Sequence, residues 1–390
     1  MSTCPCCKQS EMELFHDAKN VPTNSCILLE TSEEAIKYPR GDISLGFCSN
    51  CGFISNVAFN QKLTEYSGRY EETQGFSGTF NKFHKALAER LIEKYDLHRK
   101  DVLEIGCGKG EFITMLSELG NNRGVGFDPG YRKERNQSEA AKRVKFITDF
   151  YSEKYSDHKA DFVCCKMTLE HIHRPSDFLG SIRRSIGDNL DTIIFFQVPN
   201  VTRILTDCSF EDIYYEHCSY FSPGSLSFLF RNEGFKVLNV ESEYDDQYLT
   251  IEALPIADKD KGSVSNDIDL EQLREEVASF PKRCGEKLDM WKQRLNEYND
   301  ANKKVVLWGS GSKGVSFLTT LNVGDKVEYV VDINPYRQGC YMSGTGQEIV
   351  SPKFLKDYKP DVVIVMNAIY CDEIGRDLEE MGIKAEIVPV

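Results

Sequence analysis

The chain has 390 residues, with 61 Asp and Glu against 47 Lys and Arg, so its formal net charge at pH 7 is -14. This acidic balance argues against a surface that binds nucleic-acid phosphates, and we expect no nucleic-acid partner. The longest apolar runs have the length of strands and the N-terminus lacks a basic-then-apolar signal, so we expect no membrane segment and a cytoplasmic location. The length predicts two or three domains and leaves the oligomeric state open.

Two cysteine pairs near the N-terminus have the spacing of metal-binding knuckles. Cys4 and Cys7 form one pair, and Cys48 and Cys51 form the other. Four thiolates in two such pairs suit a tetrahedral zinc site without an open position for water, so we expect a structural zinc ion. The ion would stabilise a lobe, residues 1–65, that has too few apolar residues to fold alone.

Other residues of the same stretch leave the ligand set open. Cys6 lies beside Cys7, and Cys26 and His16 are further substitutes. A redox role for the paired cysteines is the competing interpretation. The eight cysteines beyond residue 51 are scattered in apolar or loop contexts, and we expect them to be small core residues in a reducing compartment.

A polar, aromatic-rich connector, residues 53–80, follows the second pair. Its glycines argue against a helix, and we expect it either to fold over a cofactor as a lid or to pack its aromatic residues in a surface loop. A helix is expected directly after it, because apolar residues recur there at helical spacing. These residues are Phe83, Leu87, Leu91, Ile92 and Tyr95.

An apolar run that starts at Val102 ends in three alternating glycines and predicts a strand, a tight turn and a helix. Glycine in such a turn allows unusual dihedral angles and lets a ligand lie against the backbone. A second short strand delivers Asp128, eighteen residues after Gly110, where a carboxylate can accept both hydroxyl groups of a ribose. The spacing therefore predicts a nucleoside site, although dinucleotide sites share the same pattern.

The glycine turn, with a Glu two residues before its first glycine, resembles motif I of class I S-adenosylmethionine-dependent methyltransferases. The resemblance implies that S-adenosylmethionine is the cofactor, with its ribose on Asp128 and its adenine edge on Asp149 and Phe150. The full set of cofactor-binding residues that it implies is Glu104, Gly106, Gly108, Gly110, Asp128, Asp149 and Phe150.

Alternating strands and helices predict an open α/β sheet of seven strands in a domain over residues 66–256. The phrase Leu169-Glu170-His171-Ile172 after the fourth of these strands also resembles the family, in which it lines the methyl-donor pocket. His171 is therefore an alternative candidate for a catalytic base. The expected strands are 102–106, 123–128, 144–147, 161–166, 192–198, 235–241 and 247–254.

An insertion between Asn200 and Ser222 is not needed by a minimal fold of this kind. It follows the fifth strand and so emerges where ligands of open α/β sheets bind. Within it, Tyr214, Glu216 and His217 can form a proton-handling group, in which His is the base, Glu orients it and Tyr donates to an oxyanion. An aromatic helix with incidental polar residues is the alternative.

The insertion, the cysteine pairs and the C-terminal segment together are similar to the nucleotide-sugar C-methyltransferases that methylate C3 of dTDP-4-keto-deoxysugars. This resemblance implies a nucleotide-sugar substrate and maps the candidate bases of that family onto Tyr214 and His217, with Glu216 beside them. One stretch departs from the family, because Tyr244-Asp245-Asp246-Gln247-Tyr248 replaces its His-Gly-Gly phrase. The identity of the sugar and the accepting atom therefore stay open.

A charged, helix-prone linker, residues 257–300, is expected to dock the last domain. It begins with residues 258–262, and Pro281 is expected to interrupt its helix. The docking face is an apolar stripe formed by Leu288, Trp291, Leu295 and Tyr298.

The last segment, residues 301–390, starts again with strand, turn and helix, and we expect a Rossmann-like domain. Its glycine motif spans 309–314, and Asp332 follows eighteen residues after Gly314. This pattern alone would indicate a dinucleotide such as NAD. The resemblance implies instead that the domain binds the nucleotide-sugar and carries no nicotinamide. The expected substrate contacts are Tyr70, Lys313, Arg337, Asn367 and Tyr370.

The predicted fold is α/β, with a class I methyltransferase open sheet, an N-terminal four-cysteine zinc lobe and a C-terminal Rossmann-like domain. The predicted activity is methyl transfer to a carbon next to a ketone in a nucleotide-linked sugar, which requires a base because such a carbon becomes nucleophilic only after losing a proton. The alternatives are an O- or N-methyltransferase, a non-catalytic nucleotide-binding scaffold and a two-cofactor reductase.

Overall fold

The structure is a computed structural model that describes residues 3–257 and 270–390. The linker start expected at residues 258–262 lies outside the described residues. Over the described ranges, no helix is both long and apolar enough to cross a membrane.

The N-terminal lobe is built on three antiparallel strands, β1 (Glu13–Pro22), β2 (Arg40–Phe47) and β3 (Ile54–Asn56). A short helix, α1 (Ser32–Ile36), lies between the first two strands and begins where the Thr31 side chain accepts a hydrogen bond from the Glu34 amide. Such a capping bond satisfies an amide that the first helical turn leaves unpaired.

The connector leads into α2 (Gly78–Tyr95), as the apolar spacing predicts. Ser77 caps this helix by accepting a hydrogen bond from the Phe80 amide, and Asp96 ends it in a left-handed conformation. The face of the helix that packs on the sheet is apolar apart from one histidine. Its buried residues are His84, Leu87, Ala88, Leu91 and Ile92.

The central sheet starts with five parallel strands, which are connected by α-helices and by short 3-10 turns. The order along the chain matches the expected pattern, and observed and expected strand ends differ by one residue at most for these five. The elements are β4 (Asp101–Ile105), α3 (Glu111–Gly120), β5 (Arg123–Phe127), β6 (Val144–Ile147), β7 (Phe162–Lys166), α4 (Pro175–Ile186) and β8 (Ile193–Pro199).

The insertion after β8 does not form one aromatic helix. It begins with α5 (Val201–Thr206), continues through a 3-10 turn at Phe210–Asp212, and ends in β9 (Ser219–Tyr220). This two-residue strand pairs with β3, so it becomes the fourth strand of the N-terminal sheet. The insertion therefore joins the N-terminal lobe to the central sheet.

The central sheet closes with α6 (Pro223–Asn232) and the hairpin of β10 (Phe235–Glu243) and β11 (Tyr248–Pro255). The strand order is β10-β11-β8-β7-β4-β5-β6, with β11 antiparallel to β8. This confirms the predicted seven-stranded α/β sheet of the class I methyltransferase type.

The linker helix α7 (Leu270–Asp300) corrects one expectation, because Pro281 lies inside it and does not interrupt it. A proline in a helix interior removes one hydrogen bond and costs about 3 kcal/mol. Here Phe280, next to the proline, is fully buried, and Cys284 on the following turn is buried in the same core. Packing of this helix face offsets the cost, and the predicted stripe around Trp291 docks on that core as well.

The C-terminal domain contains five parallel strands in the order β14-β13-β12-β15-β16, which is a Rossmann-like arrangement. A helix follows each of its strands except the second and the last along the chain. The elements are β12 (Val305–Trp308), α8 (Ser312–Leu321), β13 (Tyr329–Val331), β14 (Glu348–Val350), α9 (Leu355–Tyr358), β15 (Val362–Val365), α10 (Cys371–Glu380) and β16 (Glu386–Pro389).

One apolar cluster runs through the lobe, the insertion, α7 and the C-terminal domain. The insertion lies in the middle of it, which explains how a segment without long regular structure is fixed in place. Members from these four parts include Ile43, Leu45, Leu205, Phe210, Trp291, Leu295, Leu307 and Phe317. The expected domain boundaries stay predictions.

Candidate active site

A cavity of about 640 Å³ lies between the carboxyl ends of the central strands and the C-terminal domain. Its wall includes the glycine turn after β4, the residues after β5, β6 and β7, the connector, the insertion, and the glycine turn of the C-terminal domain. Representative lining residues are Gly106, Asp128, Asp149, Tyr66, Tyr70, Glu72, Ser312, Lys313 and Arg337.

The first glycine turn has the conformation that its sequence predicts. Gly106, Gly108 and Gly110 have φ angles of +71°, +53° and +79°, in the left-handed region that glycine adopts without strain. A Cβ atom on Gly106 would also lie 2.0 Å from the hydroxyl oxygen of Thr168. Both conformation and space therefore require glycine at Gly106.

Asp128 lies at the end of β5, directly against this turn. Its two carboxylate oxygens accept hydrogen bonds from the amides of Gly108, at 2.9 Å, and Gly130, at 2.7 Å. Each carboxylate oxygen has two lone pairs, so these bonds leave acceptor capacity for a ribose hydroxyl. Burial raises the pKa of Asp128 above its ordinary value.

Glu104, the acidic residue of the motif, is buried at the end of β4. One of its oxygens accepts a hydrogen bond from the Ile113 amide at 3.0 Å, in the first turn of α3. Burial raises the pKa of Glu104 to about 7. Glu104 therefore fixes the start of the helix and also lines the cavity.

The two residues expected at the adenine edge line the outer end of the cavity. The Asp149 carboxylate accepts hydrogen bonds from Lys154 and Tyr155, both at 2.5 Å. Phe150 is 56% exposed, and its ring lies edge-on to Tyr66 of the connector, with 6.4 Å between ring centres. The exposed Phe150 ring is free to contact a planar base.

The connector covers the cavity, which agrees with the lid interpretation and not with a surface loop. Glu72 reaches over the glycine turn, where a Cβ atom on Gly108 would lie 2.5 Å from its carboxylate. The ammonium group of Lys109 lies 3.2 Å from the same carboxylate and donates to the Tyr70 carbonyl oxygen at 2.7 Å. Burial raises the pKa of Glu72 to about 7.

Tyr214 and His217 form a close pair inside the cavity, as the insertion motif predicts. The Tyr214 hydroxyl group lies 2.8 Å from Nε2 of His217. Burial lowers the pKa of His217 well below its ordinary value and raises that of Tyr214 well above its own. At neutral pH the imidazole is therefore neutral and able to accept a proton, and the phenol keeps its proton.

Glu216 does not orient His217, which corrects the role expected from the motif. Its carboxylate accepts hydrogen bonds from the Asn24 side chain at 3.1 Å and from the Ser25 amide at 3.0 Å, and the Ser25 hydroxyl donates to it as well. Glu216 lies in a turn in which the His217 amide donates to the Tyr214 carbonyl oxygen at 3.2 Å, and the Glu216 and His217 side chains face different neighbours. Glu216 instead joins the insertion to the N-terminal lobe.

The carboxyl group nearest to His217 belongs to Glu170, in the Leu-Glu-His-Ile phrase. An oxygen of Glu170 lies 4.0 Å from His217 Nε2. Glu170 is 1% exposed, and neither of its oxygens has a hydrogen-bond partner within residues 3–257 and 270–390. Burial raises the pKa of this carboxyl group to about 8, so it is mainly protonated at neutral pH.

His171, the alternative base, is already engaged at one nitrogen. Its Nδ1 lies 2.9 Å from the Tyr66 hydroxyl group and 3.1 Å from the Glu216 carbonyl oxygen. Burial lowers the pKa of His171 to about 4. Its contacts tie the connector to the insertion.

The predicted substrate residues of the C-terminal domain line the opposite wall of the cavity. Lys313 donates to the Asp212 carboxylate at 2.7 Å, and Arg337 donates to the Ser310 carbonyl oxygen at 2.7 Å and to that of Glu71. The structure therefore places cationic side chains on this wall, each with partners in the protein.

Asn367 and Tyr370 are engaged with the β10–β11 turn, the stretch that departs from the family. The side-chain amides of Asn367 and Gln247 exchange hydrogen bonds of 2.6 and 3.2 Å. The Tyr244 hydroxyl group donates to that of Tyr370 at 2.9 Å. Tyr244, Asp245 and Asp246 all have φ between +56° and +58°, an unusual conformation for three consecutive residues other than glycine.

The four predicted cysteine ligands come together in the N-terminal lobe. The sulfur atoms of Cys4 and Cys51 are 3.7 Å apart, those of Cys7 and Cys48 are 3.6 Å apart, and all four lie within 4.8 Å of one another. A tetrahedron with bonds of about 2.3 Å separates its sulfur atoms by about 3.8 Å. The donor set and the spacing thus fit a zinc ion; Cys6 is buried nearby but lies outside this group.

Sequence reasoning missed several residues of the site. Glu170 lies within the Leu169-Glu170-His171-Ile172 phrase, where an acidic residue between an apolar residue and a histidine is a signal that could have found it. Asn24 and Ser25 carry no such pattern. The side-chain nitrogens of Lys166 and His84 lie 2.5 Å apart in the cavity wall. Lys166 ends β7 and His84 lies on a face of α2, and in the sequence each is an ordinary polar residue.

Two protein-family models match the segments of the chain that form the two walls of the cavity. Residues 79–240 match the family model described as a methyltransferase domain, and residues 266–387 match the model described as the C-methyltransferase C-terminal domain. Among curated proteins, C-methyltransferase NovU of Streptomyces niveus is 23% identical over 323 residues, which are 79% of this chain and 76% of that protein.

Two other proteins share only part of the chain. Ubiquinone biosynthesis O-methyltransferase of Rickettsia felis is 26% identical over 143 residues, which are 34% of this chain and 58% of that protein. The solved structure of magnesium protoporphyrin IX methyltransferase from Synechocystis, with bound S-adenosylhomocysteine, has a TM-score of 0.37 and 15% identity, and the match covers 45% of this chain and 84% of that one.

Proposed function

Because the chain is a class I S-adenosylmethionine-dependent methyltransferase with the C-terminal domain of the C-methyltransferases, we propose that it methylates a carbon atom next to a ketone in a nucleotide-linked deoxysugar. The observation that carries the proposal is the Tyr214 and His217 pair, 2.8 Å apart, in the same cavity as the donor turn. Transfer to oxygen or nitrogen needs less help from a base than transfer to carbon, which becomes nucleophilic only as an enolate.

The pair has the protonation states that removal of an α proton requires. His217 Nε2 can take the proton from the carbon, or Tyr214 can take it while its own proton passes to Nε2. The electrons of the broken C–H bond move into the bond to the carbonyl carbon, and the ketone oxygen becomes an enolate oxygen. A phenol hydroxyl group such as that of Tyr214 can stabilise this oxygen by a hydrogen bond.

Glu170 supports the charged form of His217 in this scheme. Once the imidazole has taken the substrate proton, the oxygen atoms of the carboxyl group 4.0 Å away can stabilise its positive charge, because electrostatic interactions are strong in a site shielded from water. Glu170 is therefore a positioning and charge-balancing residue, which is the role that sequence reasoning gave to Glu216.

S-adenosylmethionine supplies a methyl group that is already activated on a sulfonium. The residues proposed to hold it are the glycine turn, Glu104 and Asp128, with Asp149 and Phe150 at the adenine. The protein then needs mainly to align this methyl group with the enolate carbon. The common cavity supports such an alignment, because donor and acceptor walls face each other across it.

The C-terminal wall is proposed to bind the nucleotide part of the acceptor. Lys313 and Arg337 supply positive charge for a diphosphate, and both now bond to groups of the protein that a ligand could replace. Tyr70, Asn367 and Tyr370 complete the set at the junction with the connector and the β10–β11 turn. The glycine turn of this domain lines the same cavity as the proposed donor turn, which supports a nucleotide-sugar over NAD as its ligand.

Zinc is proposed as a structural ion on Cys4, Cys7, Cys48 and Cys51. The sulfur separations of 3.6 and 3.7 Å support tetrahedral coordination, and four thiolates leave no position for a reacting water. A reducing compartment such as the cytoplasm would keep these thiols available for metal.

The proposal is tested by incubating the enzyme with a panel of nucleotide-linked 4-keto-deoxysugars and donor labelled at its methyl carbon. NMR of the product assigns the methylated atom. We expect a methyl group on the carbon next to the ketone with at least one member of the panel, and no product with His217→Asn. Methylation at oxygen or nitrogen would replace the proposed reaction, and no turnover with any member would favour a scaffold.

A further inference from the structure

Lys166 is a basic residue on the donor half of the cavity wall, and the proposed proton removal does not use it. It is the last residue of β7, and its side chain lines the cavity. Within residues 3–257 and 270–390, no carboxylate oxygen lies within 4 Å of its ammonium group, which instead lies 2.5 Å from His84 Nε2. A cation in such a site is costly unless it is paired with an anion.

His84 holds the ammonium group in place without neutralising it. The imidazole is buried and stacks on Phe112, with ring centres 4.8 Å apart, and Phe112 also lies 4.1 Å below the Lys166 ammonium group. Burial lowers the pKa of His84 to about 2, with a further contribution from Lys166, so His84 is a neutral acceptor. An ammonium group has three donors, and His84 uses one of them.

Glu104 is the acidic residue whose charge acts most strongly on Lys166, but its carboxylate does not form an ion pair with the ammonium group. Its carboxylate binds the Ile113 amide, and burial raises its pKa to about 7. Burial lowers the pKa of Lys166, and the charge of Glu104 opposes this shift. An anion in the cavity would therefore favour the ammonium form, two of whose donors are not used by His84.

The order of the strands places Lys166 at a defined part of the donor. Asp149 follows β6, Asp128 follows β5, the glycine turn follows β4, and Lys166 ends β7, and these four strands are neighbours in that order. With the adenine at Asp149 and the ribose at Asp128, the rest of the donor extends across β4 towards β7. Its amino-acid end thus reaches the side of the sheet where Lys166 lies.

We propose that Lys166, positioned by His84, binds the carboxylate of the amino-acid moiety of S-adenosylmethionine. This carboxylate is the only anionic group of the donor, and a charge-assisted bond in a site shielded from water would give the unpaired cation its partner. The inference concerns the donor alone, so it does not depend on which acceptor is methylated or on which atom.

The first test compares three ligands on the wild-type enzyme by calorimetry: S-adenosylhomocysteine, its decarboxylated analogue and 5′-methylthioadenosine. A charge-assisted hydrogen bond is expected to contribute about tenfold to a hundredfold in affinity. The decarboxylated analogue, which keeps the amine, should therefore bind at least about tenfold more weakly than S-adenosylhomocysteine. Equal binding of these two ligands would overturn the proposal without any variant.

The second test uses Lys166→Met with Lys313→Met as the matched control, since Lys313 lies on the opposite wall of the same cavity. Lys166→Met should lose about tenfold or more in affinity for S-adenosylhomocysteine and little for 5′-methylthioadenosine, while Lys313→Met should change neither. Lys166→Arg should recover part of the loss. If Lys166→Met weakens both ligands equally, the residue supports the pocket as a whole and the carboxylate assignment is wrong.

Discussion

The carboxylate of Glu71 is bound by the guanidinium group of Arg135 through two hydrogen bonds, of 2.5 and 2.9 Å, at a point where the connector meets both large domains. Asn334 of the C-terminal domain donates to the same carboxylate at 2.9 Å, and Arg337 donates to the Glu71 carbonyl oxygen. Both side chains of the ion pair are buried. Glu71 therefore fastens the connector over the cavity.

Replacing Glu71 should destabilise the protein far more than replacing an exposed acid with the same kind of ion pair. Loss of one partner of a buried pair costs about 3 to 5 kcal/mol, because the other charge is left without compensation. We expect Glu71→Gln to lower the free energy of unfolding by a large part of that amount and to speed proteolysis within residues 53–80. Chemical denaturation and limited proteolysis measure the two effects.

The control for Glu71 is Asp101→Asn. Asp101 accepts two hydrogen bonds of 2.8 Å from Arg123, but this pair is exposed. Exposed pairs contribute about 0 to 1 kcal/mol, so we expect a small change. Similar losses in the two variants would contradict the role given to Glu71.

Asp128→Ala should weaken donor binding by about 1.5 to 3 kcal/mol, the contribution of hydrogen bonds to a charged group. Asp332→Ala is the matched control, because Asp332 occupies the equivalent position in the C-terminal domain and accepts a 2.9 Å bond from the Ser310 amide. It should leave donor affinity unchanged. Calorimetry with S-adenosylmethionine distinguishes the two, and unchanged affinity in Asp128→Ala would move the ribose elsewhere.

His217→Asn should abolish methyl transfer while donor binding stays intact, because a positioned general base contributes about 10²-fold to 10⁴-fold. The same variant should lose solvent deuterium exchange at the acceptor carbon, followed with S-adenosylhomocysteine in place of the donor. His173→Asn is the control. His173 directly follows the Leu169-Glu170-His171-Ile172 phrase, but its ring packs on Phe59 outside the cavity. If His217→Asn and Tyr214→Phe both keep exchange and turnover, His171 becomes the candidate base.

Glu170 should make the stability of the protein depend on pH in a defined direction. The pKa of Glu170 is raised to about 8 in the folded protein. The free energy of unfolding that Glu170 contributes is therefore fully present below its unfolded pKa of about 4.3 and is lost as the pH rises through 8. The free energy of unfolding of Glu170→Gln relative to wild type should therefore rise between about pH 5 and pH 8, by at most about 1.4 kcal/mol per pH unit. Denaturation at several pH values gives this difference, and a flat difference would mean that Glu170 is ionised.

The purified protein should contain one zinc ion per chain, and Cys4→Ser or Cys51→Ser should lose it and destabilise the N-terminal lobe. Cys6→Ser is the control, because Cys6 is buried beside the four-sulfur group but is not part of it. Elemental analysis after preparation without chelator measures the metal. Zinc well below one per chain in the wild type would contradict the proposal, and loss in Cys6→Ser would change the ligand set.

The sequence was sufficient to predict those features that depend on short stretches of chain. The glycine turn, Asp128 at the end of β5 and the seven-strand order each follow from local spacing and from the topology of open α/β sheets. The four cysteines met as predicted, and the two residues of each pair are only three positions apart in the sequence.

The features that were missed or misread depend on contacts between distant segments. Glu216 binds Asn24, which is 192 residues away, and nothing in a single sequence marks such a pair. Lys166 and His84 are 82 residues apart, and their closeness follows only from the packing of α2 on the sheet. Pro281 stays within α7 because tertiary packing outweighs its local preference.

The pairing of β3 with β9 also affects how the N-terminal lobe folds during synthesis on the ribosome. Residue 56 ends β3 and residue 219 begins β9, so the ribosome must add more than 160 residues before the last strand of the N-terminal sheet exists. At about 5 to 20 residues per second, this interval lasts about 8 to 30 s. During that time the edge of β3 is a free template for other strands. The nascent lobe is thus exposed to misassociation while the central domain is still being synthesised.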